Sequence, residues 1–226
     1  MIIHGIILLV IALIVLALGF YIYNRDPKNA VNISFLFTAT GVTIWILANS
    51  FIAINTDTES ALWYRMAYFA GVLIASGVLY FSWVFPYRLF QTGLWRKVIV
   101  LVPAVAFAPL FFLTDSIIIG VQRTSDLTIL EYGKLFPLYV AFFALFFLWT
   151  LFSLITKYRR SNGMHRWQLK YVIISILIPF VANMITDMII PMASSGRPAW
   201  MEFTGSELSV VWLGFTAYVA FKKKVV

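Results

Sequence analysis

The chain is 226 residues long, 62% hydrophobic and only 12% charged, with a mean hydropathy of +0.92. A soluble domain carries about 25% charged residues, so this chain has too few to cover a water-facing surface and belongs in a bilayer. It has no cysteine, which excludes disulfides and thiolate metal sites.

Apolar runs long enough to cross about 30 Å of hydrocarbon predict seven helical spans. They cover Ile2–Tyr23, Val31–Ile54, Ala61–Phe85, Val98–Thr114, Phe136–Thr156, Leu169–Met192 and Phe203–Phe221. The first lacks a basic n-region and a small-residue cleavage site, so it reads as a retained span rather than a signal peptide. The expectation is an all-α polytopic bundle forming a single domain over residues 1–226. No internal repeat is visible.

Thirteen of the seventeen Lys and Arg residues fall on one side of such a bundle. They are Arg25 and Lys28; Arg88, Arg96 and Lys97; Lys157, Arg159, Arg160, Arg166 and Lys170; and Lys222 to Lys224. The positive-inside rule then puts the N-terminus outside and the C-terminus in the cytoplasm, as for a multi-pass protein of the cell membrane. The net charge of +8 is a topology signal and an attraction to anionic membrane lipids, so nucleic acid need not be invoked.

The one long connection, Asp115–Leu135, contains the β-prone runs Ser116–Gln122 and Leu127–Tyr132, which predict a small outer hairpin between helices 4 and 5. Thr56 to Glu59 and Thr204 to Glu207 have capping-box spacing at the starts of spans three and seven. On span three, Ala67, Gly71 and Ala75 form a small-residue stripe. It suits close packing inside one bundle, or less simply a homodimer interface.

Polar residues at membrane depth are costly and point to function. On span six, Ser175, Pro179, Asn183 and Asp187 recur every four residues as one polar stripe. Asp187 lies roughly 7–8 Å below the outer end of its helix, at 1.5 Å per residue. Asn49 on span two, after the stripe Ser34, Thr38, Gly41 and Trp45, reaches a depth similar to that of Asn183. Arg65 and Glu207 open spans three and seven on the same side. This places Asn49, Arg65, Asn183, Asp187 and Glu207 in the outer third, with Arg65 as the natural counter-ion of Asp187. Pro179 removes a helical hydrogen bond mid-span and is the candidate hinge.

Each residue also has a plainer use. Glu207 fits the third position of a capping box, and Arg65 could snorkel to the interface. Asn49 and Asn183 could be interhelical glue worth about 1 kcal/mol each. Asp187 could form a structural ion pair, and Trp45 fits an aromatic belt.

Catalysis finds little support, and the catalytic, metal and cofactor expectations are none. The two histidines, His4 and His165, lie on opposite sides, so three metal ligands cannot converge on them. No lysine is expected deep within a span, which argues against a retinal Schiff base.

Several stretches resemble a known family. They are Asn24, Asn29 and Asn32 leading to Ile44-Trp45-Ile46-Leu47, and Leu62-Trp63-Tyr64-Arg65-Met66-Ala67-Tyr68 opening span three. Tyr132-Gly133-Lys134-Leu135-Phe136 leads into span five, and Gly163, Arg166 and Gln168 precede Asn183 and Pro191. Over nearly its whole length the chain resembles the N-terminal seven-transmembrane region of prokaryotic sensor histidine kinases.

The resemblance implies a sensory module with a cytoplasmic kinase or other output, although here the chain stops at Val226. Either a sensor region separated from its output or a stand-alone member acting through a partner would fit. The expected mechanism is binding of a small or lipid-like ligand in an outer pocket between spans two, three, six and seven. The alternative is a small transporter or channel subunit, and the plainest reading is a structural scaffold.

Overall fold

A computed structural model of the protein describes residues 2–55, 61–87, 94–123, 127–190, 197–198 and 204–221. Seven α-helices appear among them: α1 (Ile2–Arg25), α2 (Ala30–Ile54), α3 (Ala61–Val84), α4 (Leu94–Phe112), α5 (Phe136–Arg160), α6 (Gly163–Met184) and α7 (Thr204–Phe221). Between α4 and α5, β1 (Ile118–Arg123) pairs antiparallel with β2 (Leu127–Tyr132), close to the expected hairpin. A two-residue strand, β3 (Arg197–Pro198), adds to the free edge of β2, which the sequence did not suggest. The capping box at Thr56–Glu59 lies outside the described residues.

Five helices are long and apolar enough to span a membrane, whereas α4 and α7 carry shorter apolar stretches, Val98–Phe112 and Gly205–Phe221. Ile3, Val105 and Phe152 are 75%, 74% and 71% exposed, which a water-facing surface would not tolerate in such numbers but lipid does.

Close backbone approach assembles α1 to α3. A Cβ on Gly41 would meet the Ile74 backbone nitrogen at 3.1 Å, and one on Gly77 would meet Thr38 Cα at 3.0 Å. Ser50 Oγ donates to the Gly5 carbonyl at 2.7 Å, tying α2 to α1. The first loop is locked by two of its asparagines. Asn29 Oδ1 accepts from the Val31 N–H as the N-cap of α2, and Asn32 Nδ2 donates to the Ile22 and Asp26 carbonyls at the end of α1. The stripe of Ala67, Gly71 and Ala75 turns toward the interior of the bundle, with Gly71 against α5. Its Gly71 leaves room for the Tyr139 hydroxyl, which a Cβ would meet at 2.6 Å.

One expectation needs correction. α5 runs a turn beyond Thr156, which carries Lys157 out of the anticipated loop and into complete burial. Its Nζ donates to the carbonyls of Trp83, Phe85 and Tyr87 at 2.9, 2.7 and 2.8 Å, covering the C-terminal end of α3. An ammonium has three N–H groups, and all three are engaged. The helix extends because Lys, Tyr and Arg tolerate helical geometry and the positive charges of Lys157, Arg159 and Arg160 suit a helix C-terminus. Gly163 then reverses the chain with φ +56°.

Candidate functional site

A cavity of about 120 Å³ opens inside the bundle, at the end that carries the hairpin and toward mid-span. That is many times the volume one water needs. From the sequence-derived set, Trp45 and Asn49 on α2, Pro179 and Asn183 on α6, and Asp187 beyond α6 all line it.

Two expected members stand elsewhere. Arg65 donates to the Asp115 carboxylate and, at 3.3 Å, to the Ile119 carbonyl, so its ion pair ties α3 to the start of the hairpin rather than to Asp187. Glu207 pairs with His4 Nε2 at 2.7 Å, joining α7 to α1 on an exposed face. Neither side chain is among those that line the cavity. Beside Glu207, the fully buried Ser206 does the inward work: Asn49 Nδ2 donates to its Oγ at 2.5 Å, bridging α2 and α7.

Asp187 is set by an irregularity the sequence did not reveal. After Met184, α6 widens into a π-turn over Ile185–Ile189, with the Ile190 N–H bonded to the Ile185 carbonyl. Such turns insert a residue into a helix and re-aim its side chains, often at functional sites. The carbonyl of Asp187 accepts from the Tyr68 hydroxyl at 2.8 Å, and its Oδ1 accepts from Thr186 Oγ1 at 3.3 Å. Tyr68 also lies 3.3 Å from the hydroxyl of Tyr132 on β2, which joins the hairpin to the cavity. Tyr139 donates to the Tyr68 carbonyl at 3.1 Å.

Tyr64, Tyr68 and Tyr139, all cavity-lining, were missed by sequence reasoning, as was the contribution of α5 as a whole. Tyr64 and Tyr68 fall one turn apart in the Leu62–Tyr68 stretch, and that spacing was the available signal.

The other walls are apolar. Phe147 stacks on Phe180 with the rings parallel to within 1°, and Phe143 stacks on the same ring at 5.2 Å. Val42, Ile74, Val78 and Ile176 complete this part. Among the described residues lining the cavity there is no Lys, Arg or His. Three polar atoms on lining residues, Asn183 Oδ1, Trp212 Nε1 and Thr150 Oγ1, are buried with no hydrogen-bond partner among the described residues. Leaving such groups unmet costs about 1–3 kcal/mol each.

Below the cavity, α6 is tied to α7 at two levels. Ser175 Oγ lies 3.0 Å from Thr216 Oγ1, and Gln168 Nε2 donates to the Val219 carbonyl at 3.1 Å. α6 continues as a helix past Pro179, which lacks the N–H that would bond the Ser175 carbonyl.

A comparison with protein families matches residues 7–220 to one described as the N-terminal 7TM region of histidine kinase. No curated protein matches the chain.

Proposed function

Because the chain belongs to the family of N-terminal seven-transmembrane regions of histidine kinases, we propose that it is the sensory part of a signalling system in the cell membrane. In this reading it crosses the membrane several times, with the hairpin outside and the basic loops in the cytoplasm. A small or lipid-like ligand binds in the cavity, and its contacts favour one of two packings of the surrounding helices. The change passes along α6, with Pro179 as hinge, and along α7 to a cytoplasmic output.

The observation that carries this reading is the meeting of Trp45, Asn49, Asn183 and Asp187 around one cavity. Asp187 and Asn183 are its polar anchors. Arg65 and Glu207 act at its margin, fixing the hairpin and α1.

Trp45 and Trp212 line the cavity, so their emission reports occupancy. Titration of the purified protein with fractionated membrane lipids and with water-soluble metabolites should find a binder. Asp187→Asn and Asn183→Ala should each weaken it by about tenfold, equivalent to roughly 1.4 kcal/mol. Equal affinity of both variants and the parent would remove the site.

Transmission has its own test. Gln168→Leu should leave that affinity unchanged. It should speed amide exchange in the last turn of α7 roughly fivefold, as expected for loss of a hydrogen bond worth about 1 kcal/mol. Unaltered exchange would show that the Gln168 contact does not hold α7.

A further inference from the structure

Two kinds of wall enclose the cavity. On α3, Ala67, Gly71 and Ala75 bring small side chains to it every fourth residue. Rings supply much of the rest. Eight of the twenty-one lining residues are Trp, Tyr or Phe, drawn from α2, α3, α5, α6 and α7, against 18% of the whole chain. Close to Gly71 stand Tyr139 and Phe143, so the small side chains of one helix meet the aromatic ones of the next.

The polar groups of the lining largely meet one another or the backbone. Asn49 Nδ2 donates to Ser206 Oγ, and Ser209 Oγ donates to the Ser206 carbonyl at 2.6 Å. The Tyr139 and Tyr68 hydroxyls donate to the carbonyls of Tyr68 and Asp187, and Asp187 Oδ1 accepts from Thr186. Asn183 Oδ1, Trp212 Nε1 and Thr150 Oγ1 have almost no accessible surface, so an occupant does not reach them. A full charge entering this space would lose its hydration, and an anion finds no Lys, Arg or His among the described lining residues to offset that loss. Asp187, already bonded, sets no demand for a cation.

Size narrows the class further. The volume of about 120 Å³ is comparable to the roughly 150 Å³ of an apolar protein cavity that takes up one benzene molecule. A lipid chain exceeds it.

We propose that the cavity takes an uncharged molecule built on one aromatic ring, with room for a single small substituent such as a hydroxyl. This rests on the cavity being the sensory site. The ring lies beside the small side chains of α3, where the surrounding rings offer it offset-stacked and edge-on partners. A carboxylate has lone pairs beyond the one Thr186 uses, so a ring hydroxyl finds an acceptor at Asp187.

The test uses the whole chain in phosphatidylcholine nanodiscs, with fluorobenzene as the probe and fluorine NMR as the readout. A saturable bound signal should appear, shifted from the lipid-dissolved signal by the surrounding rings. Phenol should compete for it. Cyclohexanol should compete about fivefold more weakly for want of a π face, and 2-naphthol or dodecanol about tenfold more weakly for want of room. Ala75→Leu, which fills the space beside α3, should remove the bound signal. The milder Ala75→Val should weaken binding several-fold, so the result does not depend on the leucine variant folding.

Equal competition by cyclohexanol would overturn the aromatic class, and equal competition by 2-naphthol or dodecanol would overturn the single-ring size. A bound signal unchanged in both Ala75 variants would put the ring outside the cavity and overturn the assignment. If fluorobenzene gives no bound signal while the tryptophan titration finds another binder that Asp187→Asn weakens, the ring class falls and the sensory cavity stands. If neither experiment finds a binder, both fall.

Discussion

Replacing Lys157 by methionine is expected to lower the melting temperature of the detergent-solubilised protein by about 10 °C. Methionine keeps a similar unbranched stem, so packing in this fully buried position is nearly preserved and the loss is that of the ammonium. Three carbonyls, of Trp83, Phe85 and Tyr87, then face a buried space without a donor. Each unmet group costs about 1–3 kcal/mol, and water cannot reach them cheaply at a site with no exposure. The positive charge also opposes the negative end of α3, a smaller term of about 0.3–1 kcal/mol. Arginine should rescue only partly, because its planar fork is larger than the ammonium and cannot direct three N–H groups into so compact a ring of acceptors. A fluorescence-detected melt decides the matter. If Lys157→Met melts within about 2 °C of the parent, the carbonyls have other partners and the lysine is not the clamp that joins α5 to α3.

The same residue shows what a sequence can and cannot reveal in a membrane bundle. Run length and composition place the seven helices and the hairpin, because a bilayer imposes a narrow range of lengths and each backbone polar group must be met within its own element. Helix ends at the basic loops are less legible. Lys157 reads as a loop cation by composition, yet nothing in Thr156 to Arg160 stops a helix, and tertiary acceptors from α3 decide its fate.

Part of the cavity lining was legible, since helical rise converts residue number into position along a helix. Azimuth was not. Asn49, Asn183 and Asp187 face inward and Arg65 and Glu207 do not, although all five were placed at one level. The partner of Arg65, Asp115, lies in the connection after α4, where spacing rules for a single helix have no reach. The tyrosines escaped because an aromatic ring on an apolar helix looks like packing until a hydroxyl partner is seen. The π-turn escaped because its register depends on neighbours rather than on local propensity.

The two sides of the cavity differ in their freedom to move. α1, α2 and α3 approach through Gly41, Gly77 and the Ser50–Gly5 bond, so small displacements there meet backbone atoms. The α6 wall has an unmade hydrogen bond at Pro179, a π-turn at Ile185–Ile189 and flexible rings across its seam with α5. In the proposed sensor, a ligand that distinguishes two packings would gain more by shifting α6 against a fixed α1–α3 unit than the reverse. The Ser175–Thr216 and Gln168–Val219 contacts would then carry α7 with it.

A single methyl group at Gly133 should be among the most damaging changes outside the helices. A Cβ there would overlap the backbone carbonyl of Ser116 and the carbonyl oxygen of Asp115, which cannot swing aside as a side chain can. The strain is steric, because Gly133 is not in the left-handed region; among the glycines described, only Gly163 is. To admit the methyl, the chain at 115–116 must withdraw. That endangers the Gly133 N–H bond to Ile117 at 2.9 Å and the Leu135 N–H bond to Ser116 at 2.8 Å.

The withdrawal also moves Asp115 from Arg65 and disturbs Tyr132, which stacks on Phe136 at 3.8 Å and meets Tyr68 above the cavity. Overpacking of this kind costs about 1–3 kcal/mol, and two strained hydrogen bonds add about 1 kcal/mol each. Gly133→Ala should therefore lower the melting temperature by roughly 6–20 °C. It should also weaken cavity binding, since Tyr68 is the donor to the Asp187 carbonyl.

Gly163→Ala provides the contrast. A Cβ there meets nothing within 4 Å, so its cost is only the unfavourable φ, about 1 kcal/mol and roughly 2–4 °C, with cavity binding untouched. If the two alanine variants melt in the reverse order, the hairpin is not held against the bundle by the close approach at Gly133. Its link to the cavity through Tyr132 would fall with it.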